Sequence, residues 1–325
     1  MKRSGAAVSR LALNRVAALV PIMLGVTFLV FALLHIMPGD PARAMLGPEA
    51  SQETVEALRE ELGLNRPFLV QYGSWLWRVV QLDLGRSVHG SHDPVTEIIA
   101  RHWPATLELT VVAMFFATLF GAITGIVSAV RANHLVDHVA RTVTFLFLAM
   151  PGFWLALEMV IIFSHHLGWL PATRRGEPVG SVEWIRHMVM PGFVLGTGTW
   201  AFLSRILRSS MLEVLGADYI RTARAKGLPE RRVVFKHALK NALIPFVTIA
   251  GMSLGALLGG AVITETVFSY PGIGREMIGA ILARDAPVVQ GIVLLLAGVF
   301  VLTNLAVDLL YMVLDPRIRV GGAAG

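Results

Sequence analysis

The sequence contains no cysteine among its 325 residues, and only 15% of them are Asp, Glu, Lys or Arg. The absence of cysteine excludes disulfide bonds, thiolate zinc sites and cysteine nucleophiles. Soluble domains carry roughly 25% charged residues, so the low charge excludes an ordinary soluble enzyme. Disorder is excluded as well, because a disordered chain needs low hydrophobicity and a high charge density.

Two chemical signatures are also missing. A phosphate-binding loop ends in Gly-Lys followed by Ser or Thr. None of the four lysines (Lys2, Lys226, Lys236, Lys240) follows a glycine, and no HExxH metal-binding pattern occurs. We therefore expect a non-catalytic chain that binds no metal, ATP or other cofactor itself.

Apolar residues dominate what is present, at 55% of the chain with a mean hydropathy of +0.65. Crossing a bilayer takes roughly 20 apolar residues as a helix. The first apolar stretch follows several basic residues like a secretory signal, but it exceeds the roughly 7–15 apolar residues of a signal and is interpreted as a retained span. The pattern predicts an all-α polytopic membrane protein with six transmembrane helices: Val16–Met37, Ala105–Val130, Thr142–His165, Met188–Leu207, Ile244–Thr264 and Val288–Val313.

The basic residues are distributed unevenly between the two sides of these spans. A net charge of +6 and a pI near 10.1 would also suit nucleic-acid binding, but the bases mostly flank apolar segments, where they set orientation. The N-terminus, the loops 131–141 and 205–243 and the tail hold 17 Lys and Arg, against 5 in the loops 166–187 and 265–287. We expect a membrane protein with both termini cytoplasmic and no nucleic-acid partner.

This orientation divides the chain into segments. We predict a cytoplasmic N-terminus (1–15), a first transmembrane helix (16–37), an extracytoplasmic helical segment (38–104), a core of five transmembrane helices (105–313) with a cytoplasmic loop at 208–243, and a cytoplasmic tail (314–325). In the extracytoplasmic segment, Val55, Leu58 and Leu62 have helical spacing and Gly63 ends that helix. The aromatic stretch 68–80 is typical of a helix lying at the membrane surface.

The loop between the fourth and fifth spans is the most informative part of the sequence. We predict a first helix over Ser209–Lys226, because Gly227 suits the left-handed position that ends a helix and Pro229 cannot continue one. A second helix over Glu230–Leu243 then leads into the fifth span. A helical elbow with nine bases is either a docking surface for a partner or a basic face resting on anionic lipid.

The loop residues YIRTARAKGL (219–228) and HALKNALIP (237–245) resemble the coupling loop of the dipeptide/oligopeptide/nickel permease family of ATP-binding-cassette importers. The resemblance extends over some 280 residues through further motifs. These are MPGDPA (37–42), LGLNRPFLVQYGSWL (62–76), DLGRS (83–87), FSYPGIGREM (268–277), RDAPVVQG (284–291) and NLAVDLLYMVLDPRIR (304–319).

The resemblance implies a type I importer permease that translocates di- or oligopeptides across the bacterial cytoplasmic (inner) membrane. Its implied partners are a second, homologous permease, two cytoplasmic ATPases that bind ATP and Mg²⁺, an extracytoplasmic binding protein and the lipid bilayer. The residues implied to couple to the ATPases are Tyr219, Arg221, Ala223, Arg224, Ala225, Lys226, Gly227 and Leu228. Arg221 stands where the general coupling motif of such permeases has an acid.

Within the spans, Gly251, Gly255 and Gly259 form a stripe at four-residue spacing. The stripe serves either tight packing inside the subunit, or a lining of the translocation path or a contact surface with the second permease. Glu158 and Asp308 are carboxylates at membrane depth, where burial costs about 2.5–3.5 kcal/mol. Asp308 is interpreted as a structural partner of a cation, with a substrate contact as the alternative, and Glu158 as a possible contact for a peptide amino group. Prolines 151 and 191 predict kinks, either static bends or hinges.

Other functions remain as alternatives. Related importers carry nickel, glutathione or opines, but the adjacent His165 and His166 point about 100° apart on a helix and make a poor nickel pair. A self-sufficient secondary transporter would show coupling-ion sites and often inverted repeats, and neither is evident. An intramembrane enzyme would need a catalytic pair within the spans, and no persuasive pair is found there. The solute itself is not specified by the sequence.

Overall fold

The computed structural model describes residues 19–32, 41–47, 49–61, 63–89 and 92–314, without the side chains of 41, 44, 45, 61 and 308–314. The predicted N-terminal segment 1–15 and tail residues 315–325 lie outside the described residues. Nearly all of the described chain is helical, and it contains no β-strand beyond an isolated bridge between Arg86 and Pro94. The all-α prediction is confirmed.

The chain divides into two compact units. The first comprises the described residues up to Pro104 together with Gly272–Val301, and the second comprises Ala105–Pro271 with the described residues from Leu302 onward. Two helices, α5 (Val95–Val130) and α13 (Ala286–Leu314), contribute to both units. Helix α5 begins ten residues before the predicted start of the core at residue 105, and the predicted segment bounds stay a prediction.

The first unit contains, besides its parts of α5 and α13, the helices α1 (Leu19–Ala32), α2 (Pro41–Leu46), α3 (Gln52–Glu61), α4 (Phe68–Val80) and α12 (Ile273–Ala283). Gly63 follows α3 with a φ of +68°, as predicted for a helix end. Aromatic side chains of α4 pack against α1: the ring centroids of Phe31 and Trp75 are 5.5 Å apart, and the hydroxyls of Thr27 and Tyr72 are 2.9 Å apart. Trp77 on the same helix is exposed.

The second unit contains the larger share of the helices. These are the remainder of α5 and of α13, then α6 (Leu135–Ala149), α7 (Gly152–Met159), the π-helix π1 (Val160–His166), α8 (Val182–Leu215), α9 (Asp218–Ala225), α10 (Glu230–Arg232), the π-helix π2 (Val233–Ala238) and α11 (Leu239–Val267). The side chain of Trp200 on α8 packs against Phe120 of α5 and Phe147 of α6, with centroid distances of 5.4 and 5.2 Å. Helix α8 is therefore central to this unit.

The predicted third span, Thr142–His165, is wrong as one continuous helix. Helices α6 and α7 meet at Met150 and Pro151 and differ in direction by 101°. Proline lacks an amide hydrogen and disfavours helical backbone in the residue before it, and Met150 is accordingly extended with a ψ of 127°. Helix α8 continues through Pro191, so the helix is not broken there, and the predicted kink stays a prediction.

Three helices among the described residues are long and apolar enough to cross a membrane: Val95–Val130, Glu230–Val267 and Ala286–Val307. The bent pair α6 and α7 with π1 gives a fourth if it counts as one span. Helix α1 is apolar but is described over Leu19–Ala32 only. A polytopic membrane protein is therefore supported, and the count of six spans stays a prediction.

Glycines of α5 and α8 let these two helices approach each other closely. A Cβ atom on Gly196 would lie 2.5 Å from the carbonyl oxygen of Ala113, and one on Gly125 would lie 2.9 Å from that of Ser204. Real Cβ atoms do not approach other atoms so closely, so only glycine fits at these positions. The helices touch backbone to backbone here, as small residues permit in membrane proteins.

Candidate functional site

The segment that carries the predicted coupling residues forms a compact surface feature, which we call the elbow (residues 218–232). It consists of α9, a four-residue turn and α10. Helix α9 buries Ile220 and Ala223, which are 0% and 9% exposed and lie three residues apart on one face. They pack into an apolar cluster that includes Met211 of α8 and Val233 of π2. This anchor fixes the elbow to the helices on both sides of it.

The turn of the elbow is a Schellman motif, the hydrogen-bond pattern that closes a helix through a left-handed residue. Gly227 has a φ of +75°, and its N–H donates to the carbonyl of Arg224 at 2.9 Å. The N–H of Leu228 donates to the carbonyl of Ala223 at 3.4 Å, and the Leu228 side chain packs against the same apolar cluster. The predicted conformation of Gly227 is confirmed, and a β-branched residue would be strained there.

The outer face of the elbow is exposed and basic. Besides Gly227, its exposed residues are Asp218, Tyr219, Arg221, Thr222, Arg224, Ala225, Lys226, Pro229, Glu230, Arg231 and Arg232. Most of the predicted coupling residues therefore lie together on one accessible face, while Ala223 and Leu228 belong to the anchor. A hypothetical Cβ on Gly227 meets no atom within 4 Å, so this face is open around the turn.

An ion pair spans the turn. The guanidinium of Arg224 donates two hydrogen bonds to the carboxylate of Glu230, from Nε at 3.1 Å and from Nη2 at 2.7 Å. The hydrogen bonds from Arg224 hold the pKa of the Glu230 carboxyl below its usual range, and they raise the pKa of Arg224 in turn. Arg224, one of the residues implied to couple to the ATPases, is thus already paired within the chain.

Two further contacts show what other predicted coupling residues bind within the chain. The amide of Asn241 on α11 donates to the hydroxyl of Tyr219 at 2.8 Å, which ties α9 to the start of α11. Arg221 pairs with Asp218 on the same helix at 3.3 Å, with both side chains largely exposed. Such exposed pairs within a helix contribute roughly 0.3–0.5 kcal/mol. Lys226 is exposed at the end of α9.

The prediction of one helix over Ser209–Lys226 is wrong. Helix α8 continues to Leu215, Gly216 caps it, and Ala217 is extended before α9 begins at Asp218. Ala217 with a ψ of 149° turns the chain, and the Gly216 amide bonds back to the carbonyls of Leu212 and Glu213. The second predicted helix, Glu230–Leu243, is helical throughout, with the π-helix π2 inside it.

A buried ion pair lies between α6 and α8, seven residues before the end of α8. Asp137 is fully buried and accepts hydrogen bonds from Arg208 Nε at 3.0 Å, from Arg208 Nη2 at 2.7 Å and from the Asn133 amide at 2.9 Å. The hydroxyl of Ser128 donates to the same carboxylate. This network joins the loop after α5, helix α6 and the end of α8 into one fixed arrangement.

The candidate path residues are scattered by comparison. On α11, Gly255 is buried, a Cβ on Gly251 would lie 3.3 Å from Val307, and Gly259 is open with nothing within 4 Å. Glu158 is half-buried on α7. Asp308 lies in α13 with its side chain outside the described part. No arrangement among them tests a role in translocation, and that role stays a prediction.

A serine nucleophile and a histidine metal site are the two chemical alternatives to a transport role. Gly251-Met252-Ser253-Leu254-Gly255 has the GxSxG spacing of a nucleophile turn, but it lies inside α11 and the Ser253 hydroxyl donates to the Ile249 carbonyl at 2.8 Å. His165 and His166 are exposed at the end of π1 with ring centroids 5.2 Å apart. The described residues contain no group of three His, Cys, Asp or Glu that could hold a metal ion.

Sequence reasoning missed several residues that shape the site. Glu230 carried one usable signal, since an acid directly after Pro229 is typical of a helix start. Asn241, Asp137 and Arg208 carried none, because their partners lie 22 to 71 residues away along the chain.

The fold and the elbow together define a class: an all-α polytopic membrane protein with an exposed helical elbow between two long helices. The chain belongs to the family of binding-protein-dependent transport system inner membrane components, which residues 109–320 match, while residues 8–110 match the N-terminal family of such components. The family is one of transport permeases, which are non-catalytic membrane subunits.

Curated relatives cover nearly the whole chain. A dipeptide transport system permease protein of Alkalihalophilus pseudofirmus is 44% identical, over 95% of this chain and 98% of the relative. The dipeptide transport system permease protein of Escherichia coli is 43% identical, over 94% and 98%. A putative peptide transport system permease protein of Brucella abortus is 44% identical, over 95% and 98%.

Solved structures share the fold. A chain of the MetNI methionine ABC transporter in an inward-facing conformation gives a TM-score of 0.56 at 20% identity, covering 67% of this chain and 96% of that chain. A second crystal form of that transporter gives 0.55 at 22% identity, covering 68% and 97%. The fold of this chain is therefore that of an ABC importer permease.

Proposed function

We propose that this chain is the transmembrane permease subunit of an ATP-driven importer that carries di- or oligopeptides across the cytoplasmic membrane. The relatives at 43–44% identity over at least 94% of the chain, which are named as dipeptide or peptide permeases, support the solute class. The family supports multi-pass insertion in the inner membrane. The distribution of basic residues supports cytoplasmic termini.

The observation that carries the coupling role is the division of the elbow into a buried and an exposed face. Ile220 and Ala223 fix α9 to α8 and π2, so a force on the exposed face is transmitted to the helices that cross the membrane. An elbow attached only through its chain connections, without buried packing, would deform under such a force and would not transmit it to the helices. The exposed basic face has the chemistry to meet acidic groups of a partner, with Lys226 the central cation.

The partners follow from this role. We assign two cytoplasmic ATPases to the elbow of this chain and of a second, homologous permease, and an extracytoplasmic binding protein delivers the solute. ATP and Mg²⁺ bind to the ATPases and none to this chain. In this assembly, ATP-driven closure of the ATPases moves the elbow. Helices α8 and α11 move with it because they share its apolar cluster.

Reconstitution tests the proposal. Proteoliposomes containing this chain, its neighbouring permease and ATPases are supplied with binding protein and labelled dipeptide, with ATP inside. We expect uptake that requires every component, and none from this chain alone. Uptake by the chain alone, or driven by an ion gradient without ATP, would show a secondary transporter. Uptake of nickel, glutathione or an opine but no peptide would keep the importer and overturn the solute class.

A further inference from the structure

A groove beside the elbow has a largely apolar wall. Val127 and Val130, in the last turns of α5, form one side, and Val234 and Phe235 of π2 form the other. Val127, Val130 and Phe235 are 38%, 44% and 56% exposed. Helix α5 is one of the helices able to cross a membrane, so the groove continues an apolar surface at the end of a span.

Positively charged side chains also line this groove. Arg131 directly follows α5, Arg231 lies on α10, and both are exposed and line the groove. Neither forms an ion pair with a carboxylate in the part of the chain that the structure describes. The acid that lines the groove, Glu230, has both oxygens engaged by Arg224. The two arginines therefore give the groove a net positive charge.

We propose that this groove binds one anionic phospholipid, with an acyl chain along the apolar wall and the phosphate between Arg131 and Arg231. Guanidinium groups suit phosphate because they donate paired, charge-assisted hydrogen bonds. An acidic protein surface would satisfy the arginines but would leave the apolar wall uncovered. The inference goes beyond the proposed function, since it holds whatever solute the importer carries. The groove shares Glu230 and Arg231 with the outer face of the elbow, and its apolar wall lies outside the elbow.

A binding measurement tests the site on the full-length chain. The chain, in mixed micelles of detergent and phosphatidylcholine, is titrated with fluorescent phosphatidylglycerol. Each basic residue near a membrane surface contributes roughly a factor of five to binding of anionic lipid, so we expect Arg131→Gln/Arg231→Gln to bind about 25-fold more weakly. Arg221→Gln/Lys226→Gln removes the same charge from the elbow and should bind as the parent does.

A second variant tests the wall. Phe235→Asn keeps both arginines and should weaken phosphatidylglycerol binding without changing its dependence on salt. Equal binding by the parent and by Arg131→Gln/Arg231→Gln overturns the proposal. So does equal competition by glycerol phosphate, which lacks acyl chains and would indicate a simple anion site. Loss of ATPase co-purification in the double variant with lipid binding intact would assign the surface to the protein partner.

Discussion

Arg224 and Glu230 are joined across the Gly227 turn by two hydrogen bonds of 3.1 and 2.7 Å. The pair brackets the one residue of the elbow that needs left-handed backbone, and it lies on the exposed face. Its side chains are 42% and 57% exposed, so water and salt screen the attraction. The pair therefore shapes the turn locally and leaves the anchoring to Ile220 and Ala223.

Arg224→Glu should accordingly have a mild effect. An exposed pair contributes about 1 kcal/mol or less, and the variant places two acids side by side. We expect ATPase co-purification to fall by less than about fivefold and to recover in Arg224→Glu/Glu230→Arg. Because the pKa of Glu230 is lowered, the pair is fully formed above the ordinary carboxylate pKa and is lost as the pH falls through the lowered value. Near neutral pH, a small change in pH should leave co-purification unchanged.

Asp137→Asn should be far more damaging. The change leaves the partly buried guanidinium of Arg208 without its counter-charge, and breaking a buried pair costs about 3–5 kcal/mol. Thermal unfolding of the purified chain measures the loss. Asp218→Asn, which breaks the exposed pair with Arg221, is the matched control and should shift the midpoint little. Equal shifts for the two variants would contradict a structural role for the buried pair.

The seam between α5 and α8 gives a prediction with a control on the same helix. Gly196→Ala places a methyl group 2.5 Å from the Ala113 carbonyl oxygen, while Gly198→Ala meets no atom within 4 Å. Overpacking of this kind costs about 1–3 kcal/mol. We expect Gly196→Ala to lower the unfolding temperature and Gly198→Ala to leave it or raise it slightly. Identical midpoints would show that the helices are not in backbone contact.

The orientation predicted from basic residues is open to a labelling test. The chain has no cysteine, so single cysteines can be introduced without background. Glu53 and His134 are both exposed, and the charge distribution places them on opposite sides of the membrane. An impermeant thiol reagent added to intact cells should label Glu53→Cys and spare His134→Cys. Labelling of both would overturn the topology.

Local sequence signals predicted the elements whose form depends on neighbouring residues. The glycine at 227 and the proline at 229 impose the elbow turn through backbone sterics alone, and long apolar runs predicted the long helices. Pro151 predicted a kink but not its angle of 101°, because packing against other helices sets that angle. The end of α8 at Gly216 was not predicted. Gly216 caps the helix in a right-handed conformation, without the left-handed glycine by which helix ends are usually recognised.

Long-range partners could not be predicted. Asp137 and Arg208 are 71 residues apart, and nothing in either neighbourhood specifies the other. The glycine pairs at 121 and 125 and at 192 and 196 share the four-residue spacing of the stripe on α11. Which pairs lie against a neighbouring backbone depends on how the helices face each other. Four-residue glycine spacing indicates that a helix can pack closely against another. The fold determines which glycine pairs face a neighbouring helix.

The central claim is that the elbow couples this permease to its ATPases, and substitution of Gly227 tests it most directly. A φ of +75° costs a β-branched residue roughly 1–2 kcal/mol or more, whereas asparagine tolerates that region. ATPase co-purification and substrate-stimulated ATP hydrolysis are measured for Gly227→Val, Gly227→Asn and the parent in the assembled importer. We expect a loss of about tenfold or more for valine, with normal insertion and pairing, and near-parental values for asparagine. Parental values for valine in both measurements would show that the elbow does not couple the permease to its ATPases.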